Sequence, residues 1–278
     1  MLRAALVQLN SSDNPSDNLP VTLGFVRDAA ANGAKFVLTP ENTNCVSQDR
    51  DWQGQVLQRE EDDPTLEALR ALADELSIWL LIGSIGVKTG DADGRFANRS
   101  FMISPRGEVI ARYDKMHMFD VQVTPTETFR ESAAYRPGSR AVLAQTDFAK
   151  VGMTVCYDLR FPDLYRVLAK AGAQILTVPA AFSPVTGQAH WHVLLRARAI
   201  ETGSFVLAPA QAGKHPIRHG KPRETYGHSL AVGPWGDVLA DAGKEPGVTM
   251  VDLDPGDVER ARGRIPALLH DRDFGGPE

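Results

Sequence analysis

The strongest constraint on this chain is a pattern that occurs twice. Short β-type apolar runs alternate with stretches of helical periodicity, and each series closes with a strand, a Pro-x-Gly turn and a second strand. In the first series Arg3 to Leu9 is an apolar β-type run, and Val21 to Ala31 carries Val21, Phe25 and Ala29 at helical spacing before Asn32-Gly33 stops it. Lys35 to Thr39 reads as a short buried strand ending at Pro40-Glu41. Pro64 to Leu76 sets Leu66, Leu69, Leu72 and Leu76 on one face of a helix, and Ile78 to Val87 reads as a strand apolar on both faces. The second series runs Val151 to Cys156 (strand), Pro162 to Ala171 (helix), Gln174 to Pro179 (strand), His190 to Glu201 (helix) and Phe205 to Pro209 (strand). The closing hairpins are Ser100 to Ala111 and Ser229 to Ala240. In each, Pro presets φ and Gly accepts a positive φ, as a tight turn requires. Two similar halves with helices outside and strands inside predict an α/β sandwich with mixed sheets.

The bulk properties narrow the function classes. With 278 residues, 43% of them hydrophobic, the chain can bury a large core. No Ser-rich or Pro-rich linker divides it, so residues 1–278 read as a single domain. Residues 258–278 read as a polar C-terminal extension that packs on a partner subunit. A formal charge of -5 and a pI near 5.8 imply no basic face, which argues against nucleic acid as a partner. The N-terminal MLRAALVQLN is too short in its apolar part for an export signal, and no stretch approaches the roughly 20 apolar residues of a membrane span. Two cysteines without an export signal suggest a cytoplasmic protein with free thiols. The sequons at Asn10 and Asn98 are therefore read as chance.

Three residues stand where chemistry is plausible. Cys156 ends a strand, and a helix begins near Pro162, so it sits on a strand-to-helix elbow. The elbow is expected to expose the thiol, lower its pKa and offer N–H groups to an oxyanion. The competing reading is an inert core cysteine. Glu41 ends its strand at the same edge, where active sites of open α/β sheets lie, or else is a loop glutamate. Lys115 shares one face with Tyr113, His117 and Phe119 if the segment is extended, and is either snorkelling or functional.

Taken together, three segments resemble the nitrilase superfamily: Leu38-Thr39-Pro40-Glu41-Asn42, Asp114-Lys115-Met116-His117-Met118-Phe119-Asp120, and Val155-Cys156-Tyr157-Asp158-Leu159-Arg160-Phe161-Pro162. The resemblance extends over nearly the whole chain. Thr186 to Glu201 and Tyr226-Gly227-His228-Ser229 are most similar to the branch containing deaminated glutathione amidase and ω-amidase. It implies a four-layer α-β-β-α sandwich with two mixed β-sheets. It also implies cysteine-dependent hydrolysis of a small linear amide to carboxylate and ammonia through a thioester.

In that scheme Cys156 is the nucleophile. Glu41 is the general base, which calls for a raised carboxylate pKa. Lys115 and the backbone N–H of Tyr157 stabilise the oxyanion. Glu131 orients Lys115 and is preferred over Glu127. Arg160 is the candidate for a substrate carboxylate, with Thr186 second, and a salt bridge of Arg160 to Asp158 or Asp163 is the alternative. The substrates implied are deaminated glutathione or ω-amides of α-keto acids. An N-carbamoyl amidohydrolase or a nitrilase on the same triad is the alternative, and a catalytically silent scaffold the alternative of another class. The mechanism calls for no cofactor and no metal, and the family suggests a homodimer. His190 and His192 lie two apart, unlike helical zinc ligands, and lack a third ligand. Lys214 to Arg223 reads as a solvated loop, with a loop over an acidic substrate as the other option, and Arg260 to Arg264 as a solvated face. Nothing in the sequence requires Cys45 to react.

Overall fold

The computed structural model describes residues 1–125 and 127–277. Its first half comprises β1 (Leu2–Gln8), α1 (Pro15–Ala31), β2 (Phe36–Leu38), α2 (Arg50–Val56), α3 (Pro64–Leu76), β3 (Trp79–Lys88), β4 (Phe96–Ile103) and β5 (Val109–Asp114). A two-stranded hairpin, β6 (Asp120–Thr124) and β7 (Glu127–Arg130), leads to the second half. There follow β8 (Val142–Gln145), β9 (Lys150–Met153), α4 (Pro162–Lys170), β10 (Ile175–Thr177), α5 (Pro184–Thr202) and β11 (Phe205–Ala208). The hairpin β12 (Ala212–Lys214) and β13 (Glu224–Tyr226) precedes β14 (Leu230–Val232) and β15 (Val238–Asp241), and the chain ends with β16 (Gly247–Leu253) and α6 (Gly256–Arg264).

The expected repeat is present in the strand orders. One sheet runs β16-β1-β2-β3-β4-β5 and the other, read from its far edge, β8-β9-β10-β11-β14-β15. Each has three parallel central strands flanked by antiparallel ones. Strand alternation explains the layering. Ala4 and Leu6 of β1 face the second sheet and share a core with Met153, Val155 and Leu207. Ala5 and Val7 point the other way, against Val26 and Ala29 of α1 and Leu69 and Leu72 of α3. Trp191 and Leu195 of α5 cover the outer face of the second sheet. The result is the four-layer α-β-β-α sandwich.

Two helices, α3 and α4, start at Pro64 and Pro162 as expected, whereas α1 and α5 start earlier than hydrophobic spacing indicates, because caps rather than apolar residues set them. The Asn14 side chain accepts from Ser16 N ahead of Pro15, and Ser183 caps α5 ahead of Pro184. The C-terminal region also departs from expectation. Val258 and Ala261 of α6 are buried in this subunit's own fold. Arg262, expected on a solvated face, donates to the carbonyls of Thr202 and Ala173 and to Ser204 Oγ.

Candidate active site

The carboxyl ends of β2, β5 and β9 converge where the two sheets meet. Backbone crowding fixes the first of these. A Cβ on Gly83 of β3 would lie 1.9 Å from Thr39 O and 2.5 Å from the Pro179 side chain, so only glycine lets the two halves close beside Glu41. Gln211 then holds the Glu41 backbone, donating from Nε2 to its carbonyl at 3.1 Å. The Glu41 side chain is 2% exposed. Its Oε1 accepts from Lys115 Nζ at 2.8 Å and Asn98 Nδ2 at 2.9 Å, and its Oε2 from the Ala181 N–H at 2.8 Å.

Lys115 follows directly on β5 and is buried, so it does not snorkel. Its Nζ also donates to both oxygens of Glu131, at 2.9 and 2.8 Å. Glu131 is fixed in turn by the Phe119 N–H at 2.6 Å. Thus Glu131, rather than Glu127, meets the lysine. Burial alone would strip the Lys115 charge, but Glu131 and Glu41 outweigh it and hold the ammonium well above its ordinary range.

Cys156 adopts φ of 49°, a left-handed conformation that is strained for any residue with a Cβ. It opens a single 3-10 turn, Cys156–Arg160, before α4. The elbow is therefore as expected, but the thiol is not exposed: Cys156 is 7% accessible. Nor is its pKa lowered. Burial and the adjacent Glu41 charge push it well above the ordinary thiol value, against the opposing pull of Lys115. For Glu41 the direction is also the reverse of expectation. Burial raises its pKa, but the charge and hydrogen bond of Lys115, with a hydrogen bond from Cys156, hold the carboxyl below its usual range. The resting site is a protonated thiol beside an ionised carboxylate.

Asp158 locks the elbow to the lysine segment. Fully buried, it accepts from Val155 N at 2.8 Å, Tyr113 Oη at 2.6 Å and His117 N at 3.1 Å, with His117 Nδ1 at 2.6 Å. Tyr113 and His117 flank Lys115 in sequence, so the Cys156 turn and the lysine's strand share one anchor. The pocket over these groups has a volume of about 340 Å³, with Phe119, Phe129, Tyr157 and Phe182 among its walls. A single point thus brings together a thiol, a carboxylate and a buried ammonium, which suffices for acyl transfer without further groups.

The carbon-nitrogen hydrolase family model matches residues 3–263. This chain belongs to that family. A deaminated glutathione amidase from Yersinia enterocolitica is 38% identical over 269 residues, covering 96% of this chain and 92% of that protein. The C. elegans NitFhit protein superposes with a TM-score of 0.88 and 30% identity, over 98% of this chain and 65% of NitFhit. Saccharomyces cerevisiae Nit3, a member of branch 10 of the nitrilase superfamily, superposes with a TM-score of 0.84 and 29% identity, over 98% and 96% of the two chains. The fold and the hydrolysis of carbon–nitrogen bonds follow from membership.

Other candidates in this carbon-nitrogen hydrolase fall differently. Thr186 lines the pocket. Arg160 stands behind the wall, its guanidinium 5.8 Å from the Tyr157 ring centre and 5.4 Å from that of Phe182. It donates to His190 Nδ1 at 3.2 and 3.3 Å and, among the described residues, forms no salt bridge to Asp158 or Asp163. Trp191 is buried and donates to the His228 carbonyl at 2.8 Å. His192 does find companions that spacing along the chain did not indicate: His192, His228 and Asp241 bring their ligand atoms within 4.8 Å of one another. This half-exposed group lies outside the pocket, and Asp241 accepts from both rings at 2.9 Å if each donates. Cys45 is buried, its thiol pushed up to about 12 by burial and Asp13.

Two residues at the site escaped the sequence reading. Asn98, in the sequon read as chance, is 1% exposed and donates to Glu41 and to Glu131. Its only sequence signal was its place in a polar triplet, Asn98-Arg99-Ser100, inside a strand that is apolar on either side. Arg223 lines the pocket, which favours the second reading of Lys214 to Arg223, a loop over the substrate, against the solvated loop preferred from the sequence.

Proposed function

We propose that this enzyme hydrolyses a small linear amide by thioester catalysis at Cys156. The observation that carries the reading is the buried pair of Glu41 and Lys115, 2.8 Å apart, lining one pocket with Cys156. As the substrate carbonyl carbon is attacked, the S–H proton passes to Glu41 and the S–C bond forms. The oxyanion is held by the Lys115 ammonium and the Tyr157 N–H, each such donor contributing about 3–4 kcal/mol. Glu41 returns the proton to the leaving nitrogen as the C–N bond breaks. Water then gives a proton to Glu41, attacks the thioester and releases the carboxylate, and the thiolate recovers its proton. Glu131 keeps Lys115 aimed at the carbonyl oxygen. A thiol that rests protonated suits this scheme, because the base needed to ionise it is in contact.

The name shared by the similar proteins supports deaminated glutathione as substrate, with ω-amides of α-keto acids next and N-carbamoyl compounds or nitriles as alternatives. A primary ω-amide releases ammonia, whereas deaminated glutathione, a substituted amide, releases an amine. The common assay is therefore formation of the α-keto dicarboxylate. Cys156→Ala should lower it at least about a thousandfold while the circular dichroism spectrum is unchanged. Near-wild-type turnover in that variant would overturn the assignment. Absence of Cys156-dependent turnover of every one of these compounds would favour a silent scaffold.

We further propose a homodimer. Val185, Val193 and Ile200 on α5, Trp235 in the turn between β14 and β15, and Ile265 and Leu269 after α6 are exposed apolar residues that a second copy would cover. No helix among the described residues is long and apolar enough to cross a membrane. Both cysteines are free, and a cytoplasmic location agrees with that.

A further inference from the structure

Arg223 differs from the other site cations in what it lacks. Lys115 is matched by two carboxylates, whereas Arg223 has no carboxylate within hydrogen-bond or salt-bridge distance among the described residues. Its side chain makes one contact of this kind, from Nη2 to the Ala181 carbonyl at 3.0 Å, which leaves the remainder of a planar five-donor fork for a ligand. A half-buried guanidinium without a counter-ion, opening into a pocket, is a site whose missing partner is an anion.

The surrounding hairpin holds it rigidly. The Arg223 carbonyl accepts from His215 N at 2.9 Å. His215 is buried with its ring between Ser11 O and Thr225 Oγ1, at 2.7 and 2.8 Å. Burial and the Arg223 charge bring its pKa down to about 4, so the imidazole is neutral and adds no competing charge at neutral pH. On the far side, a Cβ at Gly187 would lie 2.3 Å from the Tyr226 ring, so glycine there lets β13 lie close against α5.

Position indicates which part of the substrate Arg223 meets. Ala181 gives its N–H to Glu41 Oε2 and its carbonyl to Arg223, so one residue tethers both side chains. Glu41 must reach the leaving nitrogen to protonate it. The guanidinium therefore stands within about a dipeptide of that nitrogen, two extended residues spanning about 7 Å. We infer that Arg223 forms a subsite for a carboxylate carried on the leaving amine, selecting amides whose departing half is an acidic peptide-like fragment over simple primary amides. This inference rests on the amidase reading above and specifies its substrate class.

The test compares deaminated glutathione with its C-terminal glycinamide analogue, which differs only in lacking the leaving-group carboxylate. Formation of the α-keto dicarboxylate is measured in wild type, Arg223→Gln and Arg223→Lys, with Cys156→Ala as blank. The expected result is a wild-type preference for the carboxylate form of at least tenfold in kcat/KM, expressed mainly in KM. That ratio should collapse to near one in Arg223→Gln and be partly restored in Arg223→Lys. A ratio unchanged by Arg223→Gln, or a wild type that does not distinguish the two compounds, would overturn the inference while leaving the amidase reading intact. Loss of Cys156-dependent turnover of both compounds in the wild type would instead refute the substrate reading on which it rests. Thermal melting of each variant separates misfolding from lost recognition.

Discussion

The two halves of the sandwich have the same topology, yet one carries most of the charge at the site. Matching the registers of β1 and β2 with those of β9 and β10 sets Glu41 opposite Ala180 and Cys156 opposite Leu9. Matching the two Pro-x-Gly hairpins sets Lys115 opposite Lys244 and Asn98 opposite Gly227. The lysine pair is the most instructive. Lys115 is buried between two glutamates, and Lys244 is exposed to solvent. Equivalent backbone positions thus do not determine a side chain's fate. Its carboxylate partners do, because a buried cation persists only where pairing offsets its desolvation. In the proposed mechanism the first half contributes the base and the oxyanion cation, and the second half contributes the nucleophile, an apolar floor and the unpaired Arg223.

The comparison can be broken most severely at the lysines. Lys115→Met should lower kcat/KM by about a thousandfold, the upper range for losing one oxyanion donor. It should also destabilise the fold by about 3–5 kcal/mol, because Glu41 is left buried and unpaired. Lys244→Met should leave both stability and turnover within experimental error. Steady-state kinetics and urea melts on the two variants check the pair, and equal effects would refute the asymmetry. Next comes Ala180→Glu, which places at the second half's equivalent position a carboxylate with no lysine. Ala180 is fully buried, so a loss of about 3 kcal/mol or more is expected in a urea melt. A neutral outcome would show that this floor tolerates charge.

The smallest change sharpens the comparison at Asn98. Removing its amide in Asn98→Ala takes a hydrogen bond from each glutamate, worth about 1.5–3 kcal/mol to a charged acceptor, and should lower kcat/KM by about tenfold or somewhat more. It also bears on pH dependence. Burial raises the Glu41 pKa, and Lys115 with the hydrogen bonds to the carboxylate lowers it further than burial raises it. If Glu41 is the base, as proposed, its ionised form is the active one and is lost as pH falls through this depressed value. Wild-type kcat/KM should therefore stay flat down past the ordinary glutamate value of about 4.3. On the alkaline side the raised thiol keeps it flat beyond about 8.5, the value for a free cysteine. In Asn98→Ala the acid limb should move upward. A wild-type acid limb near neutrality would contradict the arrangement of charges.

The repeat was legible in its alternation of apolar strands, helical spacing and Pro-x-Gly turns, whereas Glu41, Lys115 and Cys156 were singled out together only through the resemblance of three segments to the nitrilase superfamily, each alone leaving a bland reading open. What escaped the sequence depends on approach from elsewhere in the chain. Whether Glu41 is raised or lowered is decided by Lys115, which reaches it across the first sheet from the end of β5. Whether the thiol is exposed is decided by how the second sheet closes on Pro179 and Gly83. Asn98 looked like any polar residue in a strand, and Arg223 like any loop arginine, because neither position reveals what faces it. The starts of α1 and α5 were missed for a simpler reason: Asn14 and Ser183 cap with polar atoms, which hydrophobic spacing does not register.

The shared anchor at Asp158 has a consequence for how the enzyme comes into being. Its carboxylate joins the turn of the second sheet to Tyr113 and His117 of the first, so the working geometry exists only once two separately assembled slabs have docked in register. A slip of about 1 Å between them can cost a hundredfold in rate while every strand ladder remains intact. Catalysis here is a gauge of alignment: activity should fall with any shift between the sheets that loosens the Asp158 contacts.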